Sequence, residues 1–216
     1  ALTTLNAQVI SEDVSFKHKA CNIQATFTKP NTEGTFTTIL LIPGSGQNTR
    51  DGALPLVGGN TACLYPNLQG DTLYPYRDLA MALSNRGYAV LRYDELMISC
   101  PSYSQALDFE TVWLPGLSAI DYLKSRSDVD TNQLFLLGHS EGASLIPYLA
   151  QKKMGIKGLI SLAGPHTPFD EILSQQLTSI TKKCSPKDTG MVKFQTFQIN
   201  AFFKSVREKT YTAETA

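Results

Sequence analysis

The stretch Gln133-Leu-Phe-Leu-Leu-Gly-His-Ser-Glu-Gly-Ala-Ser-Leu-Ile-Pro147 constrains this chain more than any other. It reads as a short apolar strand over 133–137 that runs into Gly138-His139-Ser140-Glu141-Gly142 and then into a helix. That is G-x-S-x-G between a strand and a helix, the context that gives the pattern meaning. A serine hydroxyl is a poor nucleophile unless it stands exposed on a tight turn, with a base beside it and donors ready for an oxyanion. Gly138 and Gly142 lack a Cβ, so the backbone can turn sharply and the helix can approach the strand. Glu141 offers a backbone N–H at the helix N-terminus, where free donors and the dipole favour negative charge. Ser140 is therefore the candidate nucleophile. The competing reading is a chance match to a loose pattern, and the flanking strand and helix weigh against it. His139 sits in the turn itself and is read as a packed or surface histidine, not as a base.

The rest of the chain alternates. Two paired strands are expected over 14–19 and 22–29, and a β-branched strand over 35–42 breaks into Pro43-Gly44-Ser45-Gly46. A long Gly-, Asn- and Pro-rich loop follows over 47–72. A helix over 76–86 and a buried strand over 88–93 come next, then an irregular loop through Ser104. A helix over 111–126, the Ser140 strand and helix, and a strand over 157–163 complete the alternation. Two helices, 169–181 and 191–209, and a tail over 210–216 close the chain. Strand and helix alternating from Thr35 to Ala163 imply a mostly parallel sheet with helices on both faces. The loops at Gly44, Asp94, Ser140 and Gly164 then leave the carboxyl edge of that sheet, where such folds bind ligands.

Composition excludes several classes. The 216 residues carry 19 Lys+Arg and 19 Asp+Glu, a formal net charge of zero, so no basic stripe points to nucleic acid. The apolar runs are too short to span a bilayer. The four cysteines show no C-x-x-C spacing and the three histidines are scattered, so neither a metal site nor a cofactor is expected. Cys63 and Cys100 fall in two loops on the same sheet edge, and a disulfide between them is a candidate pairing that the sequence leaves open. The chain begins at Ala1 without an apolar signal segment, which reads as a removed signal or a trimmed sequence. A secreted or periplasmic location is expected, with the cytoplasm as the alternative.

Several motifs together resemble the α/β-hydrolases, and more narrowly their bacterial esterase-like branch related to dienelactone hydrolases and lysophospholipases. They are Leu41-Ile-Pro-Gly-Ser-Gly46, Arg50-Asp51-Gly52, Tyr76-Arg77-Asp78-Leu79-Ala80, Arg92-Tyr93-Asp94, Leu137-Gly-His-Ser-Glu-Gly142 and Leu162-Ala-Gly-Pro165. The resemblance covers about 35–165. It implies an oxyanion hole built from the backbone N–H groups of Ser45 and Glu141, with Gly46 next to Ser45 as the neighbouring candidate. Arg50-Asp51 is expected to brace the glycine loop as an ion pair, and Arg92 and Asp94 to be structural. The sequence departs from the family at Glu95-Leu-Met-Ile-Ser-Cys-Pro101, where a basic, Gly-rich turn is usual.

The family's triad follows the order Ser, acid, His. Downstream of Ser140 only His166 is available as base, and Asp170 as acid; pocket lining and helix capping are the competing roles of these two. The base, and with it the acid, is expected beyond residue 216. The chain thus divides into an α/β-hydrolase core, 1–165, and the start of a helical cap, 166–216, with the last strands of the fold absent. The expected function is hydrolysis of small-molecule carboxylic esters through an acyl-enzyme on Ser140. A peptidase or thioesterase of the same fold, or a non-catalytic binding module, are the alternatives. A missing C-terminal fragment or a second copy of the chain is the expected partner.

Overall fold

The computed structural model describes residues 8–102 and 114–208. The expected loop end at 103–104, the helix start at 111–113, the last helix residue 209 and the tail 210–216 lie outside the described residues. In chain order the elements are β1 (Val9–His18), β2 (Cys21–Pro30), β3 (Phe36–Ile42), β4 (Leu54–Pro55), α1 (Gly59–Leu64), β5 (Thr72–Leu73), α2 (Pro75–Ser84), β6 (Ala89–Tyr93) and α3 (Leu96–Ser99). They continue with α4 (Pro115–Ser125), β7 (Val129–His139), α5 (Glu141–Lys152), β8 (Ile156–Leu162), α6 (Phe169–Cys184) and α7 (Thr189–Arg207).

Six strands form one sheet in the order β1-β2-β6-β3-β7-β8. The β1–β2 hairpin and the β2–β6 pair are antiparallel. β6, β3, β7 and β8 run parallel. This is the mostly parallel sheet that the alternation implies, and it agrees with the α/β-hydrolase fold that the resemblance implies. Successive residues of β3 face opposite layers. Leu40 and Ile42 pack with Ile120, Leu123, Ile146 and Leu149 of α4 and α5. Ile39 and Leu41 pack with Tyr76 and Ala80 of α2. A strand buried on both faces has no reason to alternate in polarity, and the all-apolar run Ile39-Leu-Leu-Ile42 is the result.

The order of the strands places the site. From β3 the chain crosses to β6 on one side; from β7 it crosses to β8 on the other. The two connections diverge between neighbouring strands, leaving a crevice at the carboxyl ends of β3 and β7. The residues after Ile42 and after His139 line it.

The chain forms two compact units, 1–54 with 73–164 and 55–72 with 165–216. The long segment 47–72, expected as loop, leaves the first unit at β4, carries the short helix α1, and returns at β5. In the first unit β8 is the last strand of the sheet, and Leu159, Ile160 and Leu162 on it are exposed. No helix among the described residues is long and apolar enough to cross a membrane.

The candidate Cys63–Cys100 disulfide is not formed. Cys21 bonds Cys100, and Cys63 bonds Cys184. Cys100 ends α3, which packs on β2, and Cys21 opens β2 1 % exposed, their Cα atoms 6.1 Å apart. Cys63 on α1 meets Cys184 at the end of α6, against which α1 packs. A shared sheet edge did not bring Cys63 to Cys100; local packing gave each a nearer partner.

Candidate active site

Ser140 stands between β7 and α5 with φ 52° and ψ −118°. A non-glycine residue in that region is strained, and strain of this kind persists only where the surroundings enforce it. The enforcement is visible. A Cβ on Gly138 would collide with the backbone of Gly142 and Ala143, and one on Gly142 with the carbonyl oxygens of Ile42 and Pro43. Both glycines are therefore steric requirements of the turn, as the G-x-S-x-G spacing predicts. Ser140 N–H donates to Leu162 O at 2.9 Å, tying the turn to the end of β8. The serine itself is partly exposed.

A Gly142→Ala substitution should cost about 3 kcal/mol, because neither colliding carbonyl can move without shifting β3. Thermal denaturation would register this as a drop of roughly 6–12 °C. An unshifted melting curve would show that the helix can back away from β3.

The loop after β3 comes to the serine. A Cβ on Gly44 would lie 3.1 Å from both Ser140 Cβ and His139 Nδ1, so this loop passes as close as a glycine allows. The following Gly46 has φ +105°. Ser45 between them is exposed, and Glu141 opens α5, so its N–H lies in the first turn of the helix. The structure thus brings Ser140, Gly44, Ser45 and Glu141 to one crevice of the first unit. His166 and Asp170 belong to the second unit. Asp170 lies in the first turn of α6, where Arg207 donates to its Oδ2 at 2.8 Å and holds the carboxyl below its ordinary range. His166 is exposed.

Three residues to which the sequence assigns no role at the site also reach it. Tyr76, 6 % exposed, accepts the Gly44 N–H at 3.1 Å and hydrogen-bonds His139 Nδ1 at 2.9 Å. Burial raises the Tyr76 phenol and lowers the His139 imidazole, so a protonated phenol faces a neutral ring. His139 is thereby a brace for the glycine loop. Asn48 and Glu95 are the other two. Asn48 Nδ2 donates to Gly44 O at 2.9 Å and to Ser45 O at 3.2 Å, and Asn48 N–H donates to Glu95 Oε2 at 2.8 Å. Burial pushes the Glu95 carboxyl up to about 7; the Asn48 hydrogen bonds oppose the rise and the nearby Glu141 carboxylate adds to it. Burial likewise raises Glu141, whose Oε2 is buried without a hydrogen-bond partner.

The expected Arg50–Asp51 ion pair is not formed. Asp51 accepts from Arg92 Nε at 2.9 Å, while Arg50 donates to Ala25 O at 2.9 Å and lies 3.7 Å from Asp13. Adjacent side chains on this turn point apart, so each finds a partner from a different strand. Arg92 has a structural role, as expected, and so has Asp94, which accepts the Arg50 N–H at 2.6 Å. Among the described residues no group of His, Cys, Asp and Glu is placed to hold a metal ion.

With this geometry in hand, the chain can be compared with known proteins. Residues 117–215 match the family described as BAAT / acyl-CoA thioester hydrolase C terminal. Over 156 residues, 69 % of this chain, it is 30 % identical to esterase EstD of Thermotoga maritima. The chain spans 32 %, about a third, of that relative's length. Among solved structures it superposes on a dienelactone hydrolase-like promiscuous phosphotriesterase from metagenomic libraries, with a TM-score of 0.51 at 14 % identity, covering 72 % of this chain and 59 % of that one. Esterase Est22 gives 0.51 at 14 % identity over 81 % and 50 % of the two chains. A dienelactone hydrolase from Anabaena variabilis gives 0.50 at 17 % identity over 73 % and 64 %. At these identities the likeness to solved structures is one of fold.

Proposed function

We propose, from the 30 % identity to esterase EstD and the match of residues 117–215 to the thioester hydrolase family, that this chain is an esterase-like α/β-hydrolase and that Ser140 is the nucleophile of a serine hydrolase acting on carboxylic esters. The observation that carries the reading is the strained Ser140 at the carboxyl edge of β7, with Gly44 of the neighbouring strand's loop packed against it. Ser140 Oγ gives its proton to the base as it attacks the ester carbonyl, and the carbonyl π electrons move to the carbonyl oxygen. The Ser45 and Glu141 N–H groups stabilise that oxyanion. Collapse expels the alcohol, which takes a proton from the base, and leaves an acyl group on Ser140. Water attacks this ester in turn, giving up a proton to the same base, which passes it to Ser140 Oγ as the carboxylic acid leaves. We assign the base to a histidine outside these 216 residues. In the fold's order the base follows Ser140, whereas His139 precedes it and its Nδ1 is bonded to Tyr76 at 2.9 Å. The two disulfides support an exported protein, since such bonds persist in oxidising compartments.

A thioester is the second substrate class, favoured by the match to a family described as acyl-CoA thioester hydrolase. Initial rates of the full-length protein on matched p-nitrophenyl ester, acyl thioester and anilide substrates separate the readings. The ester reading expects the highest kcat/KM on the ester. Preference for the thioester would move the assignment to the second class, and activity confined to the anilide would overturn both.

A further inference from the structure

The Ser45 N–H can serve an oxyanion only if its direction is fixed before the reaction begins. It shares one planar trans peptide unit with the Gly44 carbonyl, so N–H and C=O point in opposite directions and fixing one aims the other. Asn48 Nδ2 holds the Gly44 oxygen at 2.9 Å, and its second hydrogen reaches the Ser45 oxygen at 3.2 Å, which fixes the Gly46 N–H in the same way. Both partners are carbonyls, which only accept, so the orientation of the Asn48 amide is determined. One side chain thus sets both peptide planes from which an oxyanion donor can come.

Asn48 lies on a loop and would not hold itself. Its main chain is clasped from the end of β6. Asn48 N–H donates to Glu95 Oε2 at 2.8 Å, and Glu95 N–H donates back to Asn48 O at 3.1 Å. Glu95 is itself fixed, because its carbonyl accepts Ile98 N–H at 2.9 Å and Ser99 N–H at 3.0 Å at the start of α3. Two residues on from Asn48, Arg50 N–H adds a parallel tie to Asp94 Oδ1, beside Glu95, at 2.6 Å. The chain departs from its family's motif at Glu95, and that departure supplies this clasp.

We propose that Glu95 is a positioning residue for the reaction, holding Asn48 so that the Asn48 amide fixes the peptide planes of Gly44 and Ser45 and aims the Ser45 N–H at the oxyanion. This rests on the assignment of Ser45 as an oxyanion donor. Glu95 touches no reacting atom; it acts through Asn48.

The test is steady-state kinetics of the full-length protein on a p-nitrophenyl ester, with thermal denaturation of each variant. Glu95→Ala should lower kcat by about 10- to 100-fold with KM changed by less than about twofold, because misaiming a donor weakens transition-state binding alone. Asn48→Ala should lose a similar factor, and the double variant no more than the larger single loss, since both remove one coupled device. Glu95→Gln keeps an acceptor for Asn48 N–H and should recover kcat to within about threefold of wild type. Should Glu95→Ala fail to fold, the Asn48→Ala and Glu95→Gln arms carry the test. Wild-type kcat in Glu95→Ala, single losses that multiply in the double variant, or a Gln variant as impaired as Ala would each overturn the proposal while leaving Ser140 as nucleophile. An inert wild type would remove the hydrolase reading and the proposal together.

Discussion

Ser140→Ala will reduce ester turnover by the full-length protein on the order of 10⁴- to 10⁶-fold, the range seen when a serine nucleophile is removed from an otherwise intact site. The loss will fall on kcat, because a nucleophile forms its bond to substrate only as the transition state is approached. Its stability effect will be small and of either sign. Alanine lacks the hydroxyl but keeps the Cβ that meets Gly44, and the turn is enforced by Gly138 and Gly142 rather than by the serine side chain. Positive φ at this position remains strained for alanine as for serine. Kinetics and melting measured on one preparation separate the two effects. Turnover within tenfold of wild type would show that another residue is the nucleophile.

The Cys21–Cys100 bond should be the largest single contribution of any covalent link in the first unit. It joins residues 79 apart in sequence, and closing a loop of that length restricts the unfolded chain by about 4 kcal/mol. Replacing both cysteines by serine should lower the melting temperature by roughly 8–16 °C. The effect reaches the site, because α3 is only four residues long and cannot persist as an isolated helix. Held by Cys100 at one end, it presents Glu95 at the other. The double serine variant should therefore lose kcat as well as stability, assayed well below its melting temperature. Unchanged melting on reduction of the wild type would contradict the assignment of this pair.

How far the sequence disclosed this site follows from how local each constraint is. The elbow was legible because its requirement is steric and contained within five residues: two missing Cβ atoms and one serine between them. The sheet was legible for a similar reason, since apolar runs such as Ile39-Leu-Leu-Ile42 suit only a strand covered on both faces. Partnerships between distant residues were not. Arg50 and Asp51 are neighbours in sequence yet bond to different strands, and Cys100 pairs with Cys21 because α3 rests on β2. Glu95 showed only as a departure from a family motif. Its meaning depends on Asn48, 47 residues earlier, which the chain brings within 2.8 Å only after the sheet has formed. Tyr76 lay within a recognised motif, but nothing local says that its hydroxyl reaches Gly44.

Labelling with a fluorophosphonate, followed by proteolysis and mass spectrometry, tests the central assignment most directly. The reagent phosphonylates an activated serine and expels fluoride, leaving a stable adduct. The expected result is one modified peptide, with the adduct on Ser140 and none in Ser140→Ala. An adduct on a different residue, or equal labelling of the alanine variant, would contradict the account.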